Sequence, residues 1–401
     1  MAKRDFGSFH ASNVQELLSL PNEKYFPPQV PFSLPSIILD DHKNSHGSLI
    51  FGREIKKRFF LLEDSCCFLN HGAFGAALKP GLDTARQWQL YAEQQPLRFY
   101  DREVMPFLVH VSRRMAHFVN CCPTDLALVH NATFGINSVL NSLDWVAGDV
   151  ILTFNITYGA VKKLVKHICS KTGAINREAE IQFPISGKEE ARVLIDGAHA
   201  LGSLPLDLKS LNPDYYVSNC HKWFCSPKGA AFLYVRPDLQ HEVRPAVVSH
   251  GLGSGFNSEF VWTGLDDYSS FLALHTVLDF WEAFTPSAIR TYIHQLMRDA
   301  TDVLTKLWDT KLPAPLQMFG SMALVELPKS IHQMFETVDY SAAETVQNTL
   351  YHDFSIEVPI KSLQDRLYVR ISVHIHNQLS DYEKLGRAMI TISQKRKHNG
   401  E

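Results

Sequence analysis

An α/β fold, with a mainly parallel sheet in a large domain and a smaller α+β domain after it, is the class this 401-residue chain predicts. Three observations carry it. Between residues 61 and 284 short apolar runs alternate with stretches of helical periodicity, the pattern of a parallel sheet covered on both faces. Four runs end in polar or small-residue turns, "HNATFG", "FNITYG", "IDGAHA" and "SNCHKW", which places those turns at one rim of the sheet. From about residue 285 the alternation gives way to a shorter mixture of strands and helices, residues 285–393.

In chain order, residues 1–60 include "KYFPPQVPFSLPS" and read as an irregular arm with room for one helix. "FLNHGAFGAALKPGLDTARQWQLYAEQQ" is an apolar start, a glycine-punctuated turn and an amphipathic helix, and "VMPFLVHVSRRMAHFVN" is a second helix. "LALVH" precedes the helix "NATFGINSVLNSLDWV", and "DVILTFN" precedes "TYGAVKKLVKHICSKTG". "EIQFPI" and "RVLIDGAHA" follow as strands, then "DYYVSN" and "GAAFLYV" on either side of Lys222. In the smaller domain "MALVELP", "SIEVPI" and "LYVRISVHI" read as strands, "AAETVQNTLYHDF" and "SDYEKLGRAMITIS" as helices. The tail "QKRKHNGE", residues 394–401, is expected to be disordered.

Hydrophobic residues are 45% of the chain, charged residues 20%, and the net charge is −3. No basic stripe suits nucleic acid, and no apolar run is long enough to span a bilayer. The N-terminus lacks the apolar core of a secretory signal. The seven cysteines include adjacent pairs, Cys66–Cys67 and Cys121–Cys122, but no C-x-x-C spacing, so no zinc site is expected and a reducing, cytoplasmic setting is. The sequons at Asn131 and Asn155 are then incidental.

The rim carries the chemistry. "LVHNATFGIN" ends a strand and opens a helix, whose free amides and dipole can hold an anion. Asp196 ends an apolar strand in "VLIDGAHA", where a carboxylate is either a helix cap or a partner for a protonated ring nitrogen. Lys222 sits one strand later, either as a surface charge beside a turn or as a lysine desolvated for its chemistry. A lysine able to form a Schiff base and an aspartate able to hold a pyridinium are the two groups pyridoxal 5'-phosphate requires.

"VLIDGAHALG" followed by "YVSNCHKWFCSPKG" resembles the class V aminotransferases, most nearly the isopenicillin N epimerase-like members. The resemblance extends to "FLNHGAFG", "QPLRFYDRE", "VWTGLDDYSSFLAL" and "LYVRISVHIHN", from about residue 47 to the end. It implies the fold-type I architecture of pyridoxal-phosphate enzymes and a homodimer with active sites near the subunit interface. It implies that Lys222 binds the cofactor covalently and later moves the α-proton, that Asp196 sits on the pyridine nitrogen, and that His199 hydrogen-bonds the ring oxygen. Tyr158 would stack on the ring. Ala132, Thr133, Asn219 and His221 would hold the phosphate, and Thr263 would reach the neighbouring subunit's phosphate. Arg370 would fork onto the substrate carboxylate, with Asn70 and His71 lining the substrate side.

The chain departs from the family in two places. Only 38 positions separate Tyr158 from Asp196, where the family usually has roughly 40–50 more residues, enough for a central strand and its helices. Leu265 stands where epimerase-like members usually carry threonine. The expectation is an enzyme acting at the α-carbon of an amino-acid-like substrate, as epimerase, C–S lyase or aminotransferase. Persulfide-forming desulfuration needs a mobile cysteine in the second half, and the last cysteine is Cys225. The alternative is a catalytically impaired isoform lacking a central sheet segment, acting at most as a dimerisation partner.

Overall fold

The computed structural model describes residues 11–38, 49–180 and 192–398. The first strands are β1 (Cys67–Phe68), β2 (Leu126–Val129), β3 (Val150–Phe154), β4 (Ile175–Ala179), β5 (Leu194–Asp196), β6 (Tyr215–Asn219) and β7 (Ala231–Val235). Strands β2, β7, β6 and β5 form one sheet in that spatial order. β5 is parallel to β6, whereas β7 is antiparallel to both β6 and β2. β7 is therefore the one reversed strand in an otherwise parallel set. The link from Asn219 to Ala231 carries no helix, and a parallel partner usually needs a helical crossover. Every residue of β6 and β7 is buried, as the unbroken apolar runs require of strands covered on both faces.

β3 and β4 pair parallel and, among the described residues, form a two-stranded sheet of their own. Ile151 and Thr153 of β3 are buried, while Val150, Leu152 and Phe154 are 47%, 61% and 43% exposed. One face of β3 is packed, and its other apolar face meets solvent. β4 has the sequence INREA with almost every side chain exposed, so no apolar signal marks it. The expected strand "EIQFPI" begins at Glu180 and runs, with the short connection after it, through residues 181–191, outside the described residues.

The C-terminal part adds β8 (Met322–Glu326), β9 (Ile356–Glu357), β10 (Ile360–Leu363) and β11 (Arg366–Ser372). β10, β11 and β8 form an antiparallel sheet, and β9 pairs with β1. The stretch around Phe68 thus joins the C-terminal strands although it lies within the sequence range of the large domain. Helix Pro286–Trp308 buries Ile289, Ile293, Leu296, Met297, Ala300 and Leu304 on one stripe. The final helix, Leu379–His398, continues past residue 393, where an unstructured tail was expected to begin. In the arm, helix Ala11–Ser19 packs Val14 and Leu18 against Val109, and a second helix, Arg53–Phe59, buries Ile55 and Phe59.

The core locks the segment after Lys222. Trp223, Phe224 and Cys225 are each 1% exposed or less. The Trp281 indole donates to the Phe224 carbonyl at 3.0 Å, and the two rings stack with centroids 5.1 Å apart. Gly75, at φ +70°, lies against the same segment: a Cβ there would stand 2.0 Å from the His221 carbonyl oxygen. Only glycine permits both that backbone conformation and that approach.

Candidate active site

Lys222 follows β6 and Asp196 ends β5, so parallel pairing brings the two turns to one rim. Ser218 ties them: its hydroxyl donates to the Gly197 carbonyl at 2.6 Å and accepts from the Leu201 amide at 3.3 Å. His199 is thereby carried over the lysine, with Nε2 2.9 Å from Lys222 Nζ. Asp196 is exposed and accepts from the Ala198 amide at 3.1 Å. Burial lowers the Lys222 pKa, Asp196 opposes the shift and Arg370 adds to it. Burial, with Lys222 and Arg370 nearby, takes His199 down to about 3, so its imidazole is neutral.

Arg370 reaches the site from β11. Its Nη2 donates to Asn70 Oδ1 at 3.2 Å, and Asn70 Nδ2 donates to Glu357 Oε1 at 3.1 Å. Among the described residues Arg370 pairs with no carboxylate, and its buried Nε has no acceptor. A half-buried guanidinium with unused donors is ready for an anionic ligand.

At the other end, helix Ala132–Ser142 begins beside β6. Asn131 caps the Phe134 amide at 2.8 Å, and Asn219 Oδ1 takes the Ala132 amide at 2.9 Å. That leaves the Thr133 amide and hydroxyl, and the Nδ2 of Asn219, for an anion. His221 Nδ1 is buried without a partner, and burial, with Lys228 and Lys222, holds its ring at about 4.

Two expected residues stand apart. Tyr158 is 64% exposed at the start of helix Gly159–Thr172, beyond the detached β3. Thr263 lines a recess with His130, Phe134 and Asp266 that includes none of Lys222, Asp196 or His199. His71 is not on an open substrate face: it is fully buried beneath the lysine segment, with Nε2 3.1 Å from the Lys222 carbonyl.

His71 belongs to a cluster that motif reading did not single out. The ring nitrogens of His71, His374 and His376 lie within 4.8 Å of one another. The rings are stacked, however: His71 on His374 at 4.2 Å and 22°, His374 on His376 at 5.5 Å and 17°. Imidazole binds metal along lone pairs in the ring plane at about 2.0–2.1 Å, and near-parallel stacked rings share no such point. The hydrogen bonds instead make a neutral chain. His376 Nε2 donates to His71 Nδ1 at 3.0 Å, His71 Nε2 donates to the Lys222 carbonyl, and His374 Nε2 donates to the Trp223 carbonyl at 3.0 Å. The H-x-H spacing of "VHIHN" was the signal available in the sequence.

A lysine, a carboxylate, an imidazole, a helix start with a free amide and an arginine without a carboxylate partner among the described residues thus lie at one rim of the α/β sheet. The Aminotransferase class-V family profile matches residues 163–385, and the chain belongs to that family, whose members are pyridoxal-phosphate-dependent enzymes acting on amino acids. A putative L-cysteine desulfhydrase 1 of Oryza sativa subsp. japonica is 29% identical over 419 aligned positions, covering 85% of this chain and 86% of that protein. Isopenicillin N epimerase of Streptomyces clavuligerus is 26% identical, covering 83% of this chain and 96% of that protein. Among solved structures, the cystine C–S lyase C-DES with its product cysteine persulfide superposes with a TM-score of 0.69 at 19% identity, covering 82% of this chain and 98% of that one. The residues present fit the cofactor: Arg370 Nε is a buried donor with no acceptor, and His221 Nδ1 is a buried polar atom with no partner.

Proposed function

We propose that the chain is a pyridoxal-phosphate-dependent lyase that breaks the carbon–sulfur bond of a cysteine-like amino acid. The observation that carries this reading is a partly buried Lys222 amine beside the His199 imidazole, in the field of Asp196 on one side and an unpaired Arg370 on the other. When bound, pyridoxal phosphate supplies an electron sink for the substrate α-carbon. Asp196 keeps the ring nitrogen protonated, and His199 offers Nε2 to the ring oxygen. Thr133, Asn219 and His221 hold the phosphate at the helix start that Ala132 opens, its own amide being taken by Asn219; Tyr158 covers the ring, and Thr263 serves the partner copy of a homodimer. Arg370, backed by Asn70, takes the substrate carboxylate. Lys222 Nζ accepts the proton from Cα as the Cβ–S bond breaks and sulfur leaves as hydrosulfide. Cys225 takes no part: it is fully buried, and burial pushes its thiol far up. The desulfhydrase relative supports the choice of bond. No helix among the described residues is long and apolar enough to cross a membrane. All seven cysteines are free, which suits a reducing compartment such as the cytoplasm.

The test is sulfide release from L-cysteine by the chain reconstituted with cofactor, against Lys222→Ala. The variant should lose the visible absorbance of the bound cofactor and all turnover. Turnover that survives it refutes the assignment of Lys222. Exchange of the α-proton with solvent deuterium without sulfide removes the lyase and leaves chemistry at the α-carbon.

A second reading has its own observation. Among the described residues the sheet is divided between β3 and β5, and Tyr158 stands on the side of β3. A chain that binds cofactor weakly and acts as a dimerisation partner is the reading this division supports.

A further inference from the structure

The residue after the lysine has a role of its own. The Trp223 indole donates from Nε1 to His199 Nδ1 at 3.1 Å. An indole nitrogen is a donor only, so His199 Nδ1 must present its lone pair. His199 is neutral in this setting, and a neutral imidazole carries one proton, which is therefore on Nε2. Nε2 lies 2.9 Å from Lys222 Nζ. An N–H aimed at an amine is a hydrogen bond only if the amine has a lone pair, and an ammonium has none.

We propose that Trp223 is a positioning residue that fixes His199 as an Nε2–H donor, and thereby holds Lys222 as a free amine ready to condense with an aldehyde. The indole cannot turn away from this duty. Trp223 is 1% exposed, its ring lies 5.9 Å from that of His374 at 14°, and its carbonyl is held by His374 Nε2. The Lys222 carbonyl is held in turn by His71 Nε2. Backbone and indole are thus fixed on both sides of the lysine. Condensation forms a carbon–nitrogen double bond and expels the aldehyde oxygen as water, and it begins with the lone pair on Nζ that the opposite tautomer would not favour. With pyridoxal phosphate as the aldehyde, the same Nε2–H would be the donor available to its ring oxygen. This last step rests on the function proposed above; the tautomer does not.

The groups acting on Lys222 are His199, the Asp196 carboxylate, the Arg370 guanidinium and the neighbouring His221. Asp196 favours the ammonium and Arg370 disfavours it, and neither is altered by a change at Trp223. Trp223→Phe keeps the ring and removes the donor. His199 can then turn its acceptor toward Nζ, and the ammonium gains a partner.

Two measurements on the full chain freed of cofactor test this. Nitrogen NMR with labelled histidine, assigned through His199→Gln, should show His199 bare at Nδ1 and protonated at Nε2, and a tautomer mixture in Trp223→Phe. The rate of pyridoxal phosphate capture against pH should have its midpoint raised by about one unit in Trp223→Phe, roughly a tenfold slower capture at fixed pH below it. In the His199→Gln background the same substitution should leave the midpoint in place. A proton on Nδ1 in the unaltered chain overturns the proposal, whether or not Trp223→Phe folds. So does a midpoint that stays put, or one that moves equally without His199. Failure of any lysine to capture the cofactor would instead sink the proposed function, while the NMR still decides the tautomer.

Discussion

Arg370 shows what a single side chain can and cannot reveal before the fold is known. In the sequence it is one charge inside an alternating strand, and its resemblance to a carboxylate-binding arginine came from the surrounding motif. The structure adds the physical reason: it is half-buried, paired among the described residues only with Asn70, and one of its nitrogens has no acceptor. Arg370→Lys retains the charge and loses the planar fork. KM for a carboxylate substrate should rise roughly tenfold or more, an energy of about 1.4 kcal/mol, while the absorbance of the bound cofactor stays unchanged. An unaltered KM would place Arg370 outside the substrate site. Lys222 and Asp196 were legible because polar residues ending apolar strands stand out. Trp223 was not, because an indole in "KWFC" reads as core, and only the hydrogen bond to His199 gives it a second meaning.

Elements with a mixed burden were the least legible. β4 is polar because almost all its side chains face water, so its pairing with β3 left no trace in periodicity. The segment holding His374 and His376 read as the end of a strand, but β11 stops at Ser372 and the two rings turn inward beneath the lysine loop. That inward turn has a consequence for acid stability. Burial holds His71 and His376 far below their ordinary range and His374 at about 4. In the unfolded chain each would titrate near 6.5. Below that pH the unfolded state binds more protons than the folded one, so stability is lost as pH falls and is fully present above it. At pH 5 each buried ring costs roughly 2 kcal/mol. Urea unfolding should show a clearly lower midpoint at pH 5 than at pH 7.5. His374→Phe should flatten that dependence by about one proton. A pH-independent midpoint between these values would mean the rings are protonated in the folded stack.

The whole molecule turns on the division of its central sheet. β6 and β7 are buried on both faces, as expected of a covered α/β sheet, yet among the described residues β5 ends the larger sheet and β3 begins the smaller one. The alignment to the rice desulfhydrase relative spans 419 positions but takes in 85% of this chain, about 341 residues, so some 78 positions have no counterpart here. With the epimerase relative, 399 positions take in 83%, about 333 residues, a shortfall of some 66. The short interval between Tyr158 and Asp196 falls where the sheet divides. The exposed face of β3 holds Val150, Leu152 and Phe154, and covering such side chains contributes roughly 1.5–3 kcal/mol each when complete. Since net stability is about 5–15 kcal/mol, covering even half of that surface is a large share. A version of the chain with a family-like strand and helix inserted between Glu190 and Ala191 should therefore melt higher. A gain of a few kcal/mol corresponds to roughly 2–4 °C per kcal/mol for a domain of this size. Cofactor affinity belongs to the site and is read separately: at a cofactor concentration of 100 Kd the stabilisation is about 2.7 kcal/mol. The chain as it stands should show a small rise in melting temperature with pyridoxal phosphate, and the extended version a large one. If the present chain already melts high and rises strongly with cofactor, its sheet serves the site without the insertion, and the reading as an impaired partner fails while the lyase reading gains.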